Sequence, residues 1–108
     1  MQIRERTEAL WELESKAYEE GHEEIACLAC RLKATLEKLE DQLDWMEKII
    51  RKLRVESPSS FNSLGEFQSN AVMADAAAGQ ASVLAQLLEK VAQNSSEEIQ
   101  GLVGKVLG

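Results

Sequence analysis

Cys27 and Cys30, spaced C-x-x-C, and His22 five residues before the first of them are the only soft ligands in the 108-residue chain. On one helix face two thiols at this spacing could ligate a metal or form a redox couple. Tetrahedral zinc takes four ligands, so Glu23 or Glu24 would have to complete a set with Cys27, Cys30 and His22. A redox pair of this type sits at a helix N-terminus, where the dipole lowers the thiol pKa. Here the pair falls inside a helical stretch, with no strand before it. Packing is the plainer account. With Ile25 as the zero of angle, Cys27 lies at about 200°, Cys30 at about 140°, Ala34 at about 180° and Trp45 at about 200°. They form a narrow second apolar strip, and cysteine packs as a small hydrophobe.

The remaining chemistry is sparse. With one histidine there is no Ser/His/Asp arrangement, and scattered glycines build no phosphate cradle. His22 beside Gly21 and the pairs Glu19-Glu20 and Glu23-Glu24 read as solvated surface. The expectation is a protein that is not an enzyme and holds no metal or cofactor.

The elements that would carry these residues are helical. Helix formers dominate, and there are one Pro and six Gly. Across residues 2–56 an apolar stripe keeps its direction from Ile3 through Leu10, Ala17 and Ile25 to Leu53. From Leu32 on, the spacing alternates four and three, an a/d heptad with Leu36, Leu43 and Ile50 at one position and Leu32, Leu39, Met46 and Leu53 at the other. A stutter through Gly21, Ile25 and Leu28 precedes it. Gly21-His22 is the one joint where this rod could break. Around it Leu10, Leu13, Ala17, Gly21, Ala26 and Cys30 resemble a single tetratricopeptide-type hairpin. Such repeats need neighbours, Glu19 and Glu20 suit a helix C-terminus poorly, and the stripe passes Gly21 without changing phase. These points favour one continuous helix.

Residues 57–66 read as a linker around Pro58. An Ala-rich helix follows from about Phe67 to Gln93 and folds back on the Cys27/Trp45 strip. Asn94 suits a C-cap, and Ser95 to Glu98 a capping box opening a short last helix. The fold class is therefore all-α: a long coiled-coil-like helix over 1–56, then 67–108 as two shorter helices of the same domain, packed as an oligomeric bundle.

The formal charge is −7, which disfavours nucleic acid. The least charged run, Phe67 to Glu89, is less apolar than a membrane span, and the N-terminus lacks a signal-peptide core. Free thiols fit an intracellular, cytoplasmic protein. Residues 1–24 carry eight acids and three bases, and residues 25–54 five acids and seven bases. Flanking charge sets helix orientation, so the partner expected is a second copy, paired antiparallel. The residues expected at that interface are Leu28, Leu32, Leu36, Leu39, Leu43, Trp45, Met46, Ile50 and Leu53, with Trp11 as a further anchor. The function expected is a homo-oligomerising scaffold or adaptor. The alternatives are a small acidic regulator or inhibitor of viral or phage type that binds a host protein, and a metal- or redox-responsive helical regulator using Cys27 and Cys30.

Overall fold

The apolar stripe that runs through the first half of the sequence is folded in two at Gly21. The computed structural model describes residues 3–55 and 61–108, and its elements are α1 (Ile3–Glu19), α2 (Glu23–Val55), α3 (Phe61–Ala92) and α4 (Glu97–Leu107). All four are α-helices that pack against one another, with no strand among the described residues.

The break corrects the expectation of a continuous helix. Gly21 takes φ +79°. The His22 N–H donates to the Ala17 carbonyl at 2.8 Å and the Gly21 N–H to the Tyr18 carbonyl at 3.2 Å. These are the paired bonds of a Schellman motif with glycine at the left-handed position. An apolar stripe constant in phase serves two facing helices as well as one long one, since both halves turn toward the same core. One acid-to-base pair forms across the turn within the chain: the Lys33 ammonium of α2 lies 3.3 Å from the Glu14 carboxylate of α1. A Cβ at residue 21 would meet no atom within 4 Å. Gly21→Ala should therefore cost only the left-handed conformational penalty, about 1–2 kcal/mol. Denaturant unfolding of the two proteins measures it, and an equal midpoint would contradict the motif.

The base of the molecule is a four-helix core. Leu10, Leu13 and Ala17 of α1 meet Ile25, Ala26, Leu28, Ala29, Leu32 and Leu36 of α2, with Leu88 and Ala92 of α3 and Ile99, Val103 and Val106 of α4. The Lys16 ammonium ties α1 to α4 through the Glu98 carboxylate at 3.1 Å. Its pKa is raised, first by that hydrogen bond and then by the charge of Glu19.

α3 begins at Phe61, so residues 61–66 of the expected linker are helical. Pro58 lies outside the described residues. The N-cap of α4 is Ser96, one residue later than the expected capping box. Its hydroxyl oxygen accepts from the Ile99 N–H at 3.3 Å. Among the described residues only glycines have positive φ, so Asn94 is not a left-handed cap. The Gln100 side-chain amide instead donates to the carbonyls of Gln93 and Ser95 near the end of α3.

Candidate functional site

Neither cysteine is in the core. Cys27 and Cys30 are both exposed and free, and Ala34 is exposed, so within one chain the second strip is not packed as expected. α3 does not cover that strip. It lies on the flank of the leucine stripe instead, because its own buried residues, Ala74, Ala77, Ala81 and Leu88, recur at three, four and seven. No group of three or more His, Cys, Asp or Glu is placed to hold a metal among the described residues. His22 is half-buried, and its backbone serves the turn: the N–H closes on Ala17 and the carbonyl accepts from the Ala26 N–H. Because both thiols are exposed, a thiol reagent such as Ellman's should titrate two equivalents per chain in native buffer. A count that reaches two only in denaturant would contradict this placement.

The surface with unspent apolar area lies further along α2. Arg6 of α1 and Val106 and Leu107 of α4 reach the level of Leu36 and Leu39. Beyond that level, among the described residues, α2 has only α3 beside it. These two helices form an arm that projects from the four-helix base, and the molecule extends over 56 × 19 × 18 Å.

The nine expected interface residues divide accordingly. Leu28, Leu32 and Leu36 are buried in the base. Leu39 and Met46 are half-buried between α2 and α3. Leu43, Trp45 and Ile50 stand 43%, 49% and 40% exposed on the arm, and the side chain of Leu53 lies outside the described residues. Trp11 is also exposed, beside Leu102 in a shallow cleft between α1 and α4.

The heptad that meets α3 is shifted one residue from the expected one. In place of Leu43 and Ile50, α2 buries Gln42 and Ile49. Leucine is the more apolar of the Gln42-Leu43 pair, so the sequence pattern favours the outer residue. α3 takes the inner one, because the arm seam is set by where its alanine face can approach. The Gln42 carboxamide oxygen is buried with no hydrogen-bond partner among the described residues. A buried polar residue at such a position fixes register at a cost in stability.

This shift leaves the arm with two open edges. On one edge, Leu43 and Ile50 of α2 continue by heptad position the row begun by Leu36, which lies beside Ala78 of α3. α1 and α4 cover the lower part of this same edge. On the opposite edge, Arg31, Ala34 and Thr35 of α2 and Val83 and Leu87 of α3 line an open trough of about 660 Å³. Trp45 and Met73 continue that edge toward the tip, and the Lys48 ammonium lies 5.8 Å from the Trp45 ring centroid. Met73, Val83 and Leu87 were not singled out in the sequence as surface residues. Their signal is the period-seven core of α3, which places them outside it.

No family model matches the chain, and it matches no curated protein and no solved structure. One further property of α3 bears on its surroundings: from Gly65 to Ala92 it is long and apolar enough, by length and composition, to cross a membrane, with 17% of its most apolar 18-residue window buried in the fold.

Proposed function

We propose that the chain is a protein–protein association module, a homo-oligomerising helical scaffold or adaptor without catalytic activity, acting in the cytoplasm. The observation that carries this reading is the two-helix arm, on which Leu43, Trp45, Ile50, Val72 and Met73 are all exposed. Two helices leave more apolar surface open than a core closes. The surface area gives the same sense of scale. A compact 12.0 kDa monomer should expose about 6,000 Å², whereas this chain exposes 7199 Å².

The orientation follows from sterics. Because α1 and α4 cover the lower part of the Leu43/Ile50 edge, a second arm laid fully along it in the same direction would drive its own base into them. Arms overlapping on this edge therefore run antiparallel. One pair of the charge complementarity first expected to set that orientation, Glu14–Lys33, is made within the chain. The two exposed free thiols fit a reducing compartment.

A nitroxide at Asp44, an exposed site in mid-arm, tests the contact on a background with Cys27 and Cys30 replaced by serine. Dipolar coupling between chains within a few tens of ångströms supports arm-to-arm association. Absence of coupling at high concentration contradicts it.

A further inference from the structure

The two open edges of the arm carry opposite charge. Glu40, Glu47, Asp75 and Glu89 border the Leu43/Ile50 edge, by their heptad positions on α2 and α3. Of the bases at those positions, Lys33 is held by Glu14 at 3.3 Å and the side chain of Arg54 lies outside the described residues; Glu47 is held by Arg51 at 2.7 Å. Arg31, Lys38, Lys48, Lys52 and Lys90 border the Trp45/Val83 edge, opposed there by Asp41 and Glu66. None of these five bases makes an ion pair with another described residue. In a chain of net charge −7, such a basic edge is a local feature that the whole-chain charge hides.

We infer that the acidic Leu43/Ile50 edge of one copy docks on the basic Trp45/Val83 edge of the next, so that the interface is between unlike faces. This deepens the association proposed above and rests on it. Pairing two acidic edges or two basic edges about a two-fold axis would set like charge against like at both borders, and would leave the other apolar edge of each copy open. Pairing unlike edges matches the borders and covers both apolar rows with one kind of contact. The acidic edge offers projecting Leu43 and Ile50. The basic edge offers a trough floored by Ala34 and Gly79 and walled by Val83 and Leu87. An interface between unlike faces leaves each copy with one used and one free edge, so assembly continues past two copies until a ring closes or a filament grows.

Two charge-reversed proteins test this without touching the core, since all four positions are exposed. Glu40→Lys/Asp75→Lys makes both edges basic, and Lys48→Glu/Lys52→Glu makes both acidic. Each alone should associate roughly tenfold or more weakly than the natural chain, by analytical ultracentrifugation in low salt. An equimolar mixture should recover the natural affinity, because every basic edge again meets an acidic one. Helical circular dichroism confirms that both variants fold. If the natural chain associates and Lys48→Glu/Lys52→Glu associates equally well, or if mixing restores nothing, the unlike-face interface is overturned while association stands. If the natural chain stays monomeric at every concentration, both proposals fall.

Discussion

Leu88→Ala should lower the unfolding free energy by about 3–4 kcal/mol, in the middle of the range for leucine-to-alanine changes. Leu88 is fully buried on α3 in the core of the base. The same core contains Ala9, Ala17, Ala26, Ala29, Ala81 and Ala92. A methyl group has no rotamer with which to fill a new void, so the cavity stays open and its lining loses contacts outright. In a domain of this size the melting temperature should fall by roughly 12–24 °C. A thermal melt followed by circular dichroism in dilute solution reads this. A fall of only a few degrees would mean that Leu88 does not hold the base together.

A pair of substitutions one heptad apart should have opposite consequences. Leu36 and Leu43 occupy the same heptad position on α2, and the sequence alone makes them equivalent. Leu36 is 7% exposed, shut into the base beneath α4. Leu36→Arg buries an unpaired guanidinium, which a marginally stable fold does not survive, so helical signal should be lost. Leu43 is 43% exposed on the arm. Leu43→Arg leaves its charge in water in a single copy, so the helices should persist. In the assembly the same cation meets a face bordered by lysines and is repelled, and association should weaken by a factor of ten or more. Circular dichroism and sedimentation read the two outcomes separately. Retained folding with Leu36→Arg, or retained association with Leu43→Arg, would show that base and arm are wrongly divided.

The class of fold was readable because helix propensity and the three-four spacing of leucines act locally. The Leu10-to-Leu36 part of the stripe is core, as its apolar residues require. The break at Gly21 was signalled by the one glycine in the first 64 residues. It was outweighed because constant phase across the joint looks alike for a rod and for a hairpin, and only the left-handed φ separates them. The register of the arm was not legible. Gln42 or Leu43, and Ile49 or Ile50, can each face α3, and the choice depends on a helix some thirty residues away in sequence. The cysteine strip misled for a related reason. Small apolar residues on one helix face indicate what could be buried, while the number of helices available to bury it is a property of the whole chain. The opposed charges of the two edges could be seen only once that register was known.

Absolute molar mass against concentration, by light scattering with and without reducing agent, tests most directly whether the arm exists to be covered. Association through the arm predicts a mass above the 12.0 kDa of one chain that rises with concentration, passes that of a dimer, and is unchanged by reductant. A mass of 12.0 kDa held across the whole concentration range would contradict it.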